Sequence, residues 1–155
     1  MTQVEFSGIV LNGGNSSRMG TPKGEINFLG RPLIERSIDA LNEAGASEVL
    51  IVGGKPFVEE TKGLRFVEDV HPGEGPLGGL ITGLQNVRMS QAMVLSNDLM
   101  SIDGSTIRKI LEYSPMADLT IPIASEVPQV LTALWKVSCL KILESAFKSG
   151  SRSLK

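Results

Sequence analysis

Apolar residues occur along the chain in two spacings, one typical of strands and one typical of helices. Six short runs are apolar or β-branched and are bounded by polar or glycine-containing turns, so they predict strands. In chain order they are VEFSGIVL, SEVLIVGG, LRFVED, AMVLSND, DLTIPIA and QVLTALWKV. The cores EVLIVG and AMVLS are nearly continuous in apolar residues, which is typical of strands buried on both faces of a sheet.

Four other segments predict helices. RPLIERSIDALNEAG carries apolar residues at helical spacing, at Leu33, Ile34, Ile38 and Leu41. We expect Pro32 in the first turn of this helix and Gly45 at its C-terminal end. The other three are GPLGGLITGLQNVR, GSTIRKILEYS, whose N-cap we place near Ser105 or Thr106, and SCLKILESAFKSG, which Gly150 ends.

The alternation of strands and helices predicts an α/β protein with a three-layer, Rossmann-like, mostly parallel sheet and helices on both faces. No linker or internal repeat divides the chain, so we expect a single domain over residues 1–155. Ligands of open α/β sheets bind beyond the carboxyl ends of the strands. Three loops should therefore meet there, residues 12–24, 53–56 and 96–103, with the segment EDVHPGEGPLGG closing the same edge.

Composition and charge narrow the class of function. A net charge of −2 and a pI near 5.5 do not provide the basic surface of a nucleic-acid-binding protein, so a phosphate site would have to be local. The single cysteine, Cys139, excludes a disulfide framework and disfavours a cysteine-based zinc site. No signal peptide or membrane-spanning run is evident. We expect a cytoplasmic α/β protein, and the sequence does not distinguish a monomer from a small homo-oligomer.

The stretch LNGGNSSRMGTPKG, residues 11–24, follows the first predicted strand and combines four glycines with two cations. Its spacing matches neither G-x-x-x-x-G-K-[ST] nor G-x-G-x-x-G. Gly13 and Gly14 permit a close backbone approach, so that N–H groups can reach phosphate oxygens, while Arg18 and Lys23 add positive charge. From composition alone, the alternative is a surface loop with two solvated cations.

The order G-G-x-x-x-R-M-G-x-x-K in this stretch resembles the signature of the molybdenum cofactor guanylyltransferases, within the nucleotidyltransferase superfamily. The matching residues are Gly13, Gly14, Ser16, Arg18, Met19, Gly20 and Lys23. Downstream, GRPL is similar to the family's G-x-P-L element, VEDVHPGEGPLGGL to its acidic segment with G-P-L-[AG]-G, and LSNDLM to its metal-binding strand end. The resemblance covers most of the chain and implies a fold of the nucleotide-diphospho-sugar transferase type.

The resemblance also implies a reaction, namely Mg²⁺-dependent transfer of GMP from GTP to the phosphate of molybdopterin with release of pyrophosphate. It implies that Arg18, Lys23 and Asp98 are catalytic and that Asp98 binds the metal. Asp69 matches the acidic position that contacts guanine, and a carboxylate can accept from the N1–H and N2–H₂ edge of that base. The implied nucleotide-binding residues are Leu11, Asn12, Gly13, Gly14, Arg18, Gly20, Lys23, Asp69, Gly75, Pro76 and Gly79.

Some positions depart from the family pattern. The family more often has alanine at Asn12, cysteine at Asn97 and an asparagine near Gly53–Gly54. Family members commonly continue beyond the position that corresponds to Lys155. We therefore expect either that this protein is shorter than its relatives or that its C-terminal end is missing from this sequence.

Two alternatives stay open. One is a related enzyme for another base or acceptor, such as CTP with molybdopterin, cobinamide phosphate, methylerythritol phosphate or a sugar-1-phosphate; the other is a non-catalytic nucleotide-binding relative.

The reactive side chains that the sequence offers agree with phosphate chemistry. Nucleotidyl transfer needs charge neutralisation and alignment of the reacting groups. An acceptor phosphate is already ionised at neutral pH, so a general base is not required, and we interpret the single histidine, His71, as solvated. No G-x-S-x-G is present, so a hydrolytic serine is not indicated. Asp103, which precedes a glycine, is interpreted as a helix or turn cap.

Overall fold

Ten strands and four α-helices are present in the computed structural model of the chain, which describes residues 3–13, 25–56 and 60–154. The strands are β1 (Ser7–Leu11), β2 (Asn27–Phe28), β3 (Arg31–Pro32), β4 (Glu48–Val52), β5 (Leu64–Val67), β6 (Gln91–Ser96), β7 (Leu119–Thr120), β8 (Ile123–Ala124), β9 (Val127–Pro128) and β10 (Thr132–Lys136). The helices are α1 (Ile34–Glu43), α2 (Pro76–Asn86), α3 (Gly104–Leu111) and α4 (Leu140–Lys148). None of the helices in these described ranges is long and apolar enough to cross a membrane.

The central sheet has the strand order β5–β4–β1–β6–β10–β7. Its first four strands are parallel neighbours, whereas β10 runs antiparallel to both β6 and β7. The predicted, mostly parallel α/β sheet is therefore confirmed. Every residue of β1 and β4 is buried, because these interior strands are covered on both faces.

Helices cover both faces of the sheet, as a three-layer α/β fold requires. The helices α1 and α3 pack on the face that includes Val10 and Leu95. The helices α2 and α4 pack on the face that includes Ile9 and Val94, since successive residues of a strand point to opposite faces. The apolar stripe predicted for α1 is buried at all four positions, Leu33, Ile34, Ile38 and Leu41.

Three local features differ from the sequence prediction. Pro32 pairs with Asn27 in the hairpin of β2 and β3, and α1 begins two residues later. The N-cap of α3 is Asp103, whose side chain accepts a hydrogen bond from the Thr106 N–H at 2.8 Å. This confirms the capping role of the aspartate and moves the cap ahead of the expected serine and threonine. The run DLTIPIA forms two short strands, because Pro122 between them lacks the N–H that a ladder needs.

The amino-terminal edge of the sheet contains a cluster of charged side chains around the buried Glu48, the first residue of β4. Glu48 is 5% exposed, and its Oε1 accepts hydrogen bonds from Ser7 Oγ at 2.9 Å and from the Arg88 backbone N–H at 2.7 Å. Its Oε2 accepts a hydrogen bond from Arg65 Nη2 at 2.9 Å. Burial alone would raise the pKa of Glu48, but these hydrogen bonds outweigh burial and hold the pKa below its ordinary value of 4.5.

We expect Glu48→Gln to lower the free energy of unfolding by about 1–3 kcal/mol at neutral pH, because the new amide would place N–H groups against the Arg65 guanidinium. The folded pKa of Glu48 lies below the unfolded one, so its stabilising contribution is present above pH 4.5 and is lost as the pH falls through the folded pKa. The gap between wild type and variant should therefore shrink below pH 4.5. Urea unfolding across pH measures it, with the exposed Glu112→Gln as control. A gap that does not change with pH would contradict this assignment.

Candidate functional site

The carboxyl ends of β1, β4 and β5 bring three segments of the chain into contact at one edge of the sheet. The Asn12 N–H donates to the Val52 carbonyl at 2.9 Å, and the Gly53 N–H donates to the last carbonyl of β5 at 3.0 Å. A Cβ placed on Gly53 would lie 3.2 Å from the backbone nitrogen of Gly13 and 3.6 Å from the Cβ of Asp69. The described start of the glycine-rich loop therefore meets the loop after β4 and the acidic segment after β5, where α/β sheets bind ligands.

The loop after β4 can take its course only because two glycines form it. Gly53 and Gly54 have φ values of +82° and +69°, in the left-handed region that favours glycine. A Cβ on Gly54 would lie 2.5 Å from Nδ2 of Asn12. The resembling family often has an asparagine near this position. Here the two glycines let the loop backbone lie directly against Asn12 and Gly13.

A side-chain hydrogen bond joins the ends of β1 and β6. Asn97 Nδ2 donates to Oδ1 of Asn12 at 2.8 Å, and Asn12 is only 7% exposed. The Nδ2 of Asn12 lies 3.4 Å from the Gly53 carbonyl oxygen, which it can reach as a weak donor. Three of the places that depart from the family pattern, Asn12, Asn97 and Gly53–Gly54, are therefore connected through Asn12. Together they connect the start of the glycine-rich loop to the segment that carries Asp98.

Asp69 is half-buried, and its two carboxylate oxygens have different surroundings. Oδ1 accepts hydrogen bonds from the His71 backbone N–H at 2.8 Å and from the Thr82 hydroxyl at 3.1 Å. Oδ2 lies toward two residues that carry no side chain, since a Cβ on Gly13 would be 3.7 Å from it and a Cβ on Gly79 would be 3.8 Å from it. The protein thus holds one oxygen and turns the other toward the point where the loops meet.

The G-P-L-G-G segment forms the start of α2, with Gly75 as the N-cap and Pro76 as the first helical residue. A Cβ on Gly75 would lie 2.5 Å from the carbonyl oxygen of Arg152. The close approach at this position is therefore to the C-terminal segment of the chain itself. Gly79, one turn further along α2, lies instead on the side of Asp69 and the loop convergence.

Asp98 follows β6 by two residues and is exposed. Its Oδ1 accepts a hydrogen bond from Ser96 Oγ at 2.9 Å, and the Ser96 carbonyl in turn accepts one from Ser37 Oγ at 2.9 Å. Among the described residues, no group of three or more His, Cys, Asp or Glu side chains is arranged to hold a metal ion. Mg²⁺ is commonly bound by one or two carboxylates together with water and substrate phosphates, so the single Asp98 carboxylate fits an ion shared with a nucleotide.

Four of the sequence-predicted site residues lie outside the described residues: Gly14, Arg18, Gly20 and Lys23. Their roles stay predictions from the sequence. The structure does place the neighbouring residues Leu11, Asn12 and Gly13, and these lie at the convergence of the loops.

His71 is packed against the C-terminal segment. This differs from the expectation from sequence, which is a histidine surrounded by solvent. Its ring centroid lies 4.3 Å from that of Phe147, and its Nδ1 lies 3.5 Å from Oε2 of Glu74. The Arg152 guanidinium stacks over the other member of this pair, Phe147, at 3.9 Å, and also lies 3.6 Å from Glu74. These contacts tie the segment between Asp69 and α2 to the end of the chain.

Sequence reasoning missed Thr82 and the contact between Asn12 and Asn97. A signal for Thr82 was available, because it is the one polar side chain in the run PLGGLITGL and a buried hydroxyl needs a partner. No comparable signal existed for the amide pair, whose members are separated by 85 positions in the chain.

Comparison with known proteins agrees with this architecture. In solved structures, the chain superposes on 2-C-methyl-D-erythritol 4-phosphate cytidylyltransferase from Thermus thermophilus with a TM-score of 0.76 at 17% identity, covering 98% of this chain and 81% of that one. It superposes on molybdopterin-guanine dinucleotide biosynthesis protein A from Archaeoglobus fulgidus with a TM-score of 0.72 at 20% identity, covering 97% and 76% of the two chains. At these identities the comparison establishes the shared fold.

Sequence comparison is more specific. The chain is 34% identical over 155 residues to a probable molybdenum cofactor guanylyltransferase from Chloroflexus aggregans. The matched region covers 96% of this chain and 74% of that protein. A family model described as the MobA-like NTP transferase domain matches residues 8–155. The chain therefore belongs to the MobA-like NTP transferase family and is a nucleotidyltransferase.

Proposed function

We propose that this protein is a GTP:molybdopterin guanylyltransferase, which transfers GMP to the phosphate of molybdopterin and releases pyrophosphate. The observation that carries the proposal is the Asp69 carboxylate, whose Oδ2 is turned toward the loop convergence while Oδ1 is held by protein donors. Guanine presents adjacent N1–H and N2–H₂ donors to such an oxygen, whereas N1 of adenine is an acceptor. The guanylyltransferase name of the Chloroflexus aggregans relative supports the same base and acceptor.

The phosphates of GTP are assigned to the glycine-rich loop. Its N–H groups and the side chains of Arg18 and Lys23 would surround the triphosphate, since this loop follows β1 at the ligand-binding edge of the sheet. Asp98, two residues after the end of β6, would hold a Mg²⁺ ion together with phosphate oxygens of the substrate.

The transfer is an in-line displacement at the α-phosphorus of GTP. An oxygen of the molybdopterin phosphate forms the new bond to that phosphorus, while the bond to the bridging oxygen breaks and pyrophosphate leaves. The attacking phosphate is already ionised at neutral pH, so the residues of this chain bind and align the two substrates without having to remove a proton. A bound Mg²⁺ supplies neutralisation of the charge that develops on the phosphate oxygens.

The first test is the base preference of the wild-type protein and of Asp69→Asn, measured by calorimetry with GTP, ATP, CTP and UTP in the presence of Mg²⁺. We expect wild type to bind GTP at least about tenfold more tightly than the other three. In Asp69→Asn the amide oxygen would stay with the donors at Oδ1, so an N–H₂ group would face the base donors at Oδ2. GTP affinity should then fall by about 10- to 100-fold, while ATP affinity stays unchanged.

The control is Glu68→Gln, because Glu68 is the exposed neighbour of Asp69 and its replacement changes the net charge equally. Equal binding of all four nucleotides by wild type would contradict the guanine assignment. Release of pyrophosphate from GTP that depends on added molybdopterin tests the acceptor. Absence of that release, with GTP binding intact, would overturn the proposed transfer to molybdopterin and leave the base assignment in place.

A further inference from the structure

A buried hydroxyl lies next to the carboxylate that faces the loop convergence. Thr82, in the second turn of α2, is fully buried among apolar residues of the helix. Its Oγ1 lies 3.1 Å from Oδ1 of Asp69 and 3.0 Å from the Gly78 carbonyl oxygen, and it accepts from the Val70 N–H at 3.3 Å. Thr82 thus contacts both the acidic segment and the helix that borders it.

The single hydroxyl proton of Thr82 has two acceptors within reach. The carbonyl of Gly78 is neutral, whereas the carboxylate of Asp69 is charged, and hydrogen bonds to ionised acceptors are about twice as strong. We therefore assign the proton to Asp69. The Val70 N–H fills a lone pair of the same hydroxyl oxygen, which limits the rotation of the O–H group.

The Oδ1 atom of Asp69 consequently has two protein donors, the Thr82 hydroxyl and the His71 N–H. An aspartate side chain can otherwise turn about its terminal torsion, which is broad. With both donors on one oxygen, the carboxylate plane is fixed and Oδ2 is the oxygen that remains directed at Gly13 and Gly79.

We propose that Thr82 is a positioning residue that sets the base selectivity of the enzyme by fixing the orientation of the Asp69 carboxylate. The inference rests on the proposed function, since it takes Asp69 to be the group that accepts from the guanine edge. It adds that Oδ2 of Asp69 alone determines the base selectivity. Thr82 does not contact the nucleotide, but it determines that Oδ2 is the oxygen that faces the base.

The test compares Thr82→Val, which keeps the shape and removes the hydroxyl, with Thr82→Ser, which keeps the hydroxyl. The measured quantity is the ratio of GTP to ATP affinity, obtained by calorimetry beside the melting temperature of each variant. We expect Thr82→Val to lower this ratio about tenfold and Thr82→Ser to leave it within about twofold of wild type. A purely structural role would lower the affinity for both nucleotides together and would leave the ratio unchanged.

A double-mutant cycle shows whether Thr82 acts through Asp69. In the Asp69→Ala background, Thr82→Val should have no further effect on the ratio.

If Thr82→Val does not fold, Thr82→Ala replaces it, because alanine favours the helix. An unchanged ratio in a folded variant that lacks the hydroxyl, beside a GTP-selective wild type, overturns the inference alone. A wild type without GTP selectivity overturns the proposed function, and the inference falls with it.

Discussion

Replacing Asp98 with asparagine should lower kcat about 1000-fold in a pyrophosphate-release assay with GTP and molybdopterin. The side chain is exposed at the carboxyl end of β6, so its replacement removes a charge without opening a cavity. Asparagine keeps the size and the oxygen that accepts from Ser96, but it loses the negative charge that would strengthen the binding of Mg²⁺. The Mg²⁺ dependence of GTP affinity, measured by calorimetry, should be lost together with the activity.

Asp103→Asn is the matched control for this prediction. Asp103 lies five positions further along the same loop and is also exposed, but its carboxylate caps α3 by accepting from the Thr106 N–H. Asparagine is an equally good N-cap, so this variant should keep both activity and Mg²⁺ dependence. Full activity with unaltered Mg²⁺ dependence in Asp98→Asn would show that the metal is bound elsewhere.

Lys23→Ala and Arg18→Ala should each lower kcat by about 100-fold with little change in stability. Both cations are assigned to the triphosphate by their place in the glycine-rich loop that follows β1. The charge on the leaving pyrophosphate increases as the bond to the α-phosphorus breaks, so a cation there stabilises the transition state more than the ground state. The effect should therefore appear mainly in kcat, with a smaller change in KM.

Lys109→Ala provides the comparison, because Lys109 is an exposed cation on α3. It should retain wild-type kcat, which would show that the loss in the loop variants is not an effect of net charge. Wild-type activity in both Lys23→Ala and Arg18→Ala would remove the glycine-rich loop from the phosphate site.

The fold could be predicted because its determinants are local in the sequence. The apolar runs of β1, β4 and β6 are long enough to mark buried strands, and the stripe of α1 has helical spacing. Parallel strands then bring the loops that follow them to one edge, which is how the meeting of Gly13, Gly53 and Asp69 could be expected. The boundaries of elements depend on competing local preferences, as at Pro32, where pairing in a hairpin prevails over the preference of proline for a first helical turn.

The finer structure of the site could not be predicted, because it depends on contacts between residues distant in the chain. The orientation of Asp69 depends on Thr82, and the space around Gly75 is limited by the backbone of Arg152. Hydrophobic periodicity places an element in the fold but does not specify which polar atoms meet across it. The resemblance to a family names the acidic residue, whereas the structure shows that its Oδ2 is the oxygen directed at Gly13 and Gly79.

The contact of Asn12 with Asn97 and Gly54 has a consequence for the mutational routes open to this enzyme. Asn97→Cys alone would leave the buried Asn12 oxygen without its donor, at a cost of about 1–3 kcal/mol. The Cβ of a side chain at position 54 would lie 2.5 Å from Nδ2 of Asn12, and the residue would also have to adopt a φ of +69°. The three positions are therefore epistatic. Replacing Asn12 alone would remove the acceptor of the Asn97 amide, and replacing Asn97 alone would remove the donor to Asn12. An engineer who grafts the alanine, cysteine and asparagine of the resembling family here would therefore have to exchange the residues as a set and rebuild the loop backbone at Gly53–Gly54.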